Sequence, residues 1–303
     1  MNARFAVLIL FISSTGWGLT WLPLKKLNDI GLDSMQLIFI AFISGALVLS
    51  PWLYRQYPQW KYKIRFIILI ALAGGFANAS FQTAIYHGDV VRVMILFYML
   101  PVWSVIGGKI FLKEKIDARR ILAVLLSLSG AFIILDVWNT SWQGITYIDF
   151  LAIGSGLGLA ATNILFRFTQ ETPLASKVAS IFIGCTVIIG SVLFIQSVFL
   201  SAPIKELPSN ELAISYAMLY GAIYLVLITL GTQWAVTQME AGRSAIIIVM
   251  ELVTAVVSIA ILTYVDLKAY EILGGILVVS AALLEGIRDD TVKDVTLTEK
   301  QPA

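Results

Sequence analysis

Ten apolar runs, each close to the length of helix that crosses a bilayer, occupy almost all of this 303-residue chain. No other property constrains its folding as strongly. A hydrocarbon core about 30 Å thick takes ~20 residues of helix. The runs fall at Arg4–Leu24, Ser34–Tyr54, Ile64–Tyr86, Val90–Leu112, Ala118–Val137, Tyr147–Phe168, Leu174–Leu200, Leu212–Met239, Gly242–Tyr264 and Ala269–Ile287. They exceed the strands of a soluble sheet, and they lack the polar–apolar alternation of a membrane barrel. Only 13% of residues are charged, and mean hydropathy is +0.88, so charge is about half that of a soluble domain. The chain is expected to be an all-α membrane protein with ten transmembrane helices.

In such a chain the informative charges are those of the loops. Placing the N-terminus in the cytoplasm puts sixteen Lys and Arg inside, among them Lys61, Lys109, Lys113, Arg119 and Arg120. Five remain outside: Lys25, Lys26, Arg92, Lys205 and Lys268. Both termini are therefore expected on the cytoplasmic side of the cell inner membrane. Arg4 followed by FAVLILFISS has the character of a signal peptide. Its continuation GWGLT, however, is echoed in the second half, which keeps it as the first span. The one cysteine, Cys185, lies within the seventh run and rules out an intrachain disulfide.

Laying the chain on itself with a shift of 151 matches Gln82 with Gln233, Asp89 with Glu240, Arg92 with Arg243, Met99 with Met250 and Ser129 with Ser280. A shift of 140 sets Gly16, Gly18 and Leu19 on Gly156, Gly158 and Leu159. Each half carries five spans, an odd number, so the second enters the membrane in the opposite sense to the first. The expected result is an inverted repeat with a two-fold axis in the membrane plane and a solute site at the midplane, the architecture of secondary transporters. The expected units are residues 1–142, residues 143–288, and a polar cytoplasmic tail at 289–303.

GWGLTWLPLKKL in the first span, and FQTAIYHGDVVRVMILFYMLPVWSVIGGKIFLKEKIDARRILAVLLSLSGAFIIL after it, resemble the EamA domain of the drug/metabolite transporter superfamily. The shared features are Trp17-Gly18, Pro101 midway along the fourth span, and Lys113-Glu114 before the fifth. The second copy departs from them, with Leu252 in place of Pro101 and Val265 in place of Glu114. The resemblance implies two inverted five-helix EamA repeats and transport of small metabolites, amino-acid export first among them. Carriage of organic cations, or of choline-like or drug-like compounds, is the alternative.

Glu251 stands out among single residues. It lies eight residues into its span, about 12 Å deep at ~1.5 Å per residue, with no other ionisable group between Arg243 and Tyr264. A carboxylate at that depth is costly unless it faces a cavity, is protonated or has a partner. Its spacing places Thr254 and Ser258 on the same helix face. The expected roles are to bind a substrate ammonium or to carry a coupling proton; a hydrogen-bonded acid used in packing is the plain alternative. Rings and amides toward span interiors complete the candidate cavity: Trp17, Trp21, Asn78, Gln82, Tyr86, Tyr98, Trp103, Asn163, Tyr220 and Tyr224. Such a mixture suits an organic solute with an apolar body and a few polar groups. Trp138, Trp142, Tyr54, Tyr57 and Trp60 read instead as interfacial anchors.

The pairs Asp89/Arg92 and Glu240/Arg243 occupy equivalent short turns on opposite faces, where alternating gates belong. Pro101 removes a backbone donor and is expected to kink the fourth span, whereas the ninth, lacking it, is expected to move as a rigid helix. His87 ends the third span at the outer turn. One histidine without a Cys or carboxylate cluster argues against a metal site. GSGLGLAA at 154–161 has no strand before it, which removes a nucleotide-binding reading. An intramembrane enzyme would need Ser/His, Asp/Asp or His/Asp groups, so the chain is read as no enzyme and without a cofactor. A channel would show a continuous polar pore. The expected partners are a small solute, a coupling proton and the lipid bilayer, with no nucleic acid. The chain is expected to be a monomer or weak dimer.

Overall fold

A computed structural model describes residues 3–140, 144–199 and 211–287. Trp142, Lys205, the end of the seventh run at Leu200 and the tail at 289–303 lie outside the described residues. The described chain is helical throughout. In order the helices are α1 (Ala3–Gly18), α2 (Trp21–Asp29), α3 (Ser34–Arg55), α4 (Tyr57–Trp60), α5 (Ile64–His87), α6 (Val90–Phe97), α7 (Leu100–Phe111), α8 (Ala118–Ile134), α9 (Tyr147–Phe168), α10 (Leu174–Phe199), α11 (Glu211–Leu219), a π-helical stretch (Tyr220–Leu225), α12 (Val226–Gln238), α13 (Ala241–Ile248), α14 (Met250–Thr263) and α15 (Ala269–Gly286).

Nine helical segments among the described residues are long and apolar enough to cross a membrane. The fifth run contributes α8, with 17 residues, which is shorter than these. It ends before Asp136, whose left-handed backbone (φ 50°, ψ 52°) stops it. Aspartates start several helices by accepting a hydrogen bond from a free N–H of the first turn: Asp33 from Met35 N (3.1 Å), Asp89 from Arg92 N (2.8 Å) and Asp117 from Arg120 N (2.9 Å).

Three of the spans are broken. α1 gives way to α2 at Leu19–Thr20, α6 to α7 at Tyr98–Met99, and α13 to α14 at Val249. Pro101 sits in the first turn of α7, where a missing N–H costs nothing. The expected rigidity of the ninth span does not hold, for Val249 interrupts it 151 residues beyond Tyr98, with no proline at Leu252. There Leu252 N turns to Val249 O at 3.0 Å, a 3₁₀-type contact that loosens the helix without proline.

Glycines admit the backbones of the broken helices. A methyl on Gly156 would lie 2.6 Å from the carbonyl oxygen of Phe97, the acceptor that Pro101 leaves open. A methyl on Gly18 would run into the carbonyl oxygen of Glu251. The halves interleave: α5 packs on α9 and α10, α1 on α12 and α14, α7 on α9 and α13, α3 on α10 and the π-helical stretch, and α8 on α15.

Candidate functional site

The breaks in all three spans open onto one central cavity of about 220 Å³. Rings dominate its wall, from Trp17, Trp21, Phe81, Phe97, Tyr98, Phe182 and Tyr220, with amides from Asn78, Gln82 and Gln233. Among the described residues of its lining Glu251 is the one carboxylate, and there is no Lys, Arg or His. The first turn of α14 holds Glu251 and the α6–α7 break holds Tyr98, so the phenol donates to Glu251 Oε1 at 3.0 Å across the two halves. Two indoles are fixed by bonds to the other half: Trp17 Nε1 donates to Thr232 Oγ1 (3.1 Å) and Trp21 Nε1 to Ser258 Oγ (2.9 Å). Gln82 and Gln233, which match in the internal repeat, both reach the cavity.

Five candidates stand away from that wall. Tyr86 is at the C-terminal end of α5, where its hydroxyl donates to Asp33 Oδ1 at 2.9 Å, and its ring meets His87 edge-on. Trp103 belongs to the apolar cluster of Leu10, Leu100 and Ile247, its indole N–H without a hydrogen-bond partner among the described residues. Asn163 is fully buried one layer behind the cavity and accepts from Gln233 Nε2 at 3.2 Å. Tyr224 donates to Gly16 O at 2.6 Å and faces a different, lateral groove. Thr254 bonds back to Met250 O at 3.2 Å and packs against Gly18. Tyr86, expected toward a span interior, stands instead at the exposed end of its helix. The direction in which each side chain points was set by neighbouring helices.

Residues 4–136 match the profile of the EamA-like transporter family. That match takes in somewhat less than half of the chain. An uncharacterized transporter of Archaeoglobus fulgidus is 25% identical over 144 residues, 48% of this chain and 50% of that protein. Protein PagO of Salmonella typhimurium is 26% identical over 161 residues (48% and 50%), and a riboflavin transporter of Brucella anthropi 24% over 153 residues (48% and 52%). The chain thus spans about half the length of these curated relatives in the alignments. One solved crystal structure superposes with a TM-score of 0.74 at 13% identity, over 94% of this chain and 99% of the other, and shares the fold.

The Lys-Glu of the EamA pattern has a physical task here. Glu114, buried, accepts from Ala241 N at 2.9 and 3.1 Å and so holds the N-terminus of α13, where a carboxylate is favoured by the unpaired N–H groups. Arg167 Nε pairs with it at 3.2 Å, and its Nη1 reaches Met239 O. Beside it Arg120, 1% exposed, bonds Glu285 at 2.7 Å and Glu240 at 2.6 Å. Sequence reading passed over Arg120, Glu285 and Arg167 because their partners lie far along the chain. Of the expected gate pairs, Asp89 caps the backbone of Arg92, whose guanidinium goes to Asp149 at 2.7 Å. Glu240 is met by Arg120, and Arg243 reaches Gly286 O at 3.2 Å. Each proposed gate is thus tied to a third helix. Outside the spans, Lys63 at 2.6 Å holds the Glu171 carboxyl below its usual range.

Proposed function

We propose that this chain is a secondary transporter that moves small amine-bearing metabolites across the inner membrane by alternating access, exporting amino acids. The observation that carries this reading is Glu251, a lone carboxylate bonded to Tyr98 in a ring-lined cavity between helices of both halves. Such a wall offers an ammonium its counter-charge and an apolar side chain its contact surface. The same carboxylate is placed to exchange a coupling proton with a bound amine. A second reading, organic cations or choline-like compounds, is favoured by the absence of Lys, Arg and His from the lining. An amino acid's carboxylate would there depend on indole, amide and hydroxyl donors. The relative named for riboflavin adds that aromatic solute to the panel.

Ten helices complete the proposal, with α8 as the tenth, since 17 residues reach the lower end of spanning lengths. Exchanging the two halves turns the main helix pairings of the fold into one another: α5 on α9 becomes α12 on α1, α7 on α9 becomes α14 on α1, and α8 on α15 returns itself. That supports the inverted repeat, with units at 1–142 and 143–288, while the Lys and Arg balance of the loops supports cytoplasmic termini. On this topology Glu114 and Arg120 sit at the inner end. All eight residues of α13 are buried, against three of the eight in α6, so the inner gate is the closed one.

Counterflow in proteoliposomes tests the proposal. Preloaded unlabelled amino acid or amine should accelerate uptake of its labelled form, and Glu251→Gln should abolish the effect. Fast flux without counterflow would make the chain a channel, and no flux of any panel member would end the proposal. Stabilisation by anionic solutes alone would remove the role given to Glu251.

A further inference from the structure

A second concavity, about 910 Å³, opens on the flank of the molecule between α2 and the stretch from α11 to α12. One stripe of span residues forms its floor: Tyr216, Leu219, Ile223 and Leu227, each more than half exposed. Eleven residues separate Tyr216 from Leu227, ~16 Å of helix, against ~15 Å for one leaflet of a 30 Å hydrocarbon core. The π-helical turn is what makes the surface concave. Its extra residue per turn shifts the register, turning Tyr220 inward (7% exposed) and Ile223 outward (54%). Tyr220 lines both this groove and the central cavity, stacked on Tyr224 at 5.5 Å.

The groove is charged at one end. Lys26 and Asp29 border it, exposed, three residues apart on α2, and neither has an ion pair among the described residues. An acidic lipid would satisfy the lysine and set like charge against Asp29. A zwitterion with a primary amine satisfies both: its phosphate accepts from Lys26 and its ammonium donates to Asp29.

We infer that this groove is a binding site for one phospholipid of the phosphatidylethanolamine kind, an acyl chain lying along the stripe and the headgroup held by Lys26 and Asp29. The inference rests on the chain residing in a bilayer and not on which solute it carries. The lipid chain would lie one ring, Tyr220, away from the solute cavity.

Native mass spectrometry of the full chain in detergent, titrated with phosphatidylethanolamine, phosphatidylcholine and phosphatidylglycerol, tests it. Phosphatidylethanolamine should bind most tightly, at one equivalent. Ile223→Trp with Leu227→Trp fills the groove and should remove that binding, while Leu122→Trp with Leu125→Trp, on the exposed face of α8, should leave it intact. Lys26→Glu should weaken it about fivefold, the effect of ~1 kcal/mol for one basic group at a lipid surface. Equal or tighter binding of phosphatidylglycerol, retention of the lipid by the groove-filled chain, or equal loss in the α8 variant would overturn the inference. If the groove-filled chain does not fold, unchanged affinity in Lys26→Glu overturns it alone. Lipid binding as expected with no solute flux would keep this site and discard the transport proposal.

Discussion

The bond between Tyr98 and Glu251 concentrates the chemistry of the cavity in one contact. A hydrogen bond to a charged group contributes about 1.5–3 kcal/mol, so Tyr98→Phe should alter solute affinity through the carboxylate and leave the cavity's shape unchanged. Isothermal titration with an amine-bearing solute should show Glu251→Gln weakening binding at least about tenfold, a loss of ~1.4 kcal/mol, with Tyr98→Phe changing it less. Equal affinity in native and Glu251→Gln protein would make this acid a packing residue. Glu251 was legible in the sequence because a lone charge in an apolar run demands an explanation by solvation alone. Where Tyr224, Trp103 and Asn163 point was not legible there. Periodicity says which residues share a helix face, and the identity of the facing helix comes from elsewhere.

Broken helices are the elements that position this site, and proline does not explain all three of them. Val249 interrupts its span as Tyr98–Met99 does, although Leu252 replaces proline. Pro101→Ala is therefore expected to keep the break and to keep equilibrium binding, while slowing flux by changing the cost of interconversion. Loss of binding in that variant would show that the proline itself builds the cavity wall. Close approach matters more. Gly18→Ala forces a methyl against the backbone of Glu251 and should cost about 1–3 kcal/mol. At Gly275, where the added methyl meets nothing nearer than Val253 Cγ1 at 3.9 Å, alanine should instead gain about 0.5–1 kcal/mol from helix propensity. Thermal unfolding in detergent separates the two by the sign of the shift.

At the scale of the molecule, one end is held by a buried ionic cluster that joins the halves. Truncating Arg120 to Leu removes its buried bonds to Glu285 and Glu240 and should cost about 3–5 kcal/mol, the range for a broken buried pair, read as a large drop in the unfolding midpoint. Glu240→Gln leaves Arg120–Glu285 intact and should open that end instead, so that a cysteine placed at Thr162 in a Cys185→Ala background gains reactivity from the cytoplasmic side. Unchanged labelling there would show that Arg120–Glu240 is no latch. In the same background, cysteines at Asp89 and at Lys61 should label from outside and from inside respectively, and reaction of position 61 in intact cells would reverse the topology. The sequence over residues 4–287 determined the helical membrane class, the approximate spans and the self-match of its two halves, because hydropathy and self-similarity are properties of the chain itself. Only the tertiary structure decided that Arg120 meets Glu285 across 165 positions, that Glu114 caps α13, and that Tyr224 faces a lateral groove. Those partners depend on helix rotation and on which helices pack together, and burial across two interleaved halves sets both.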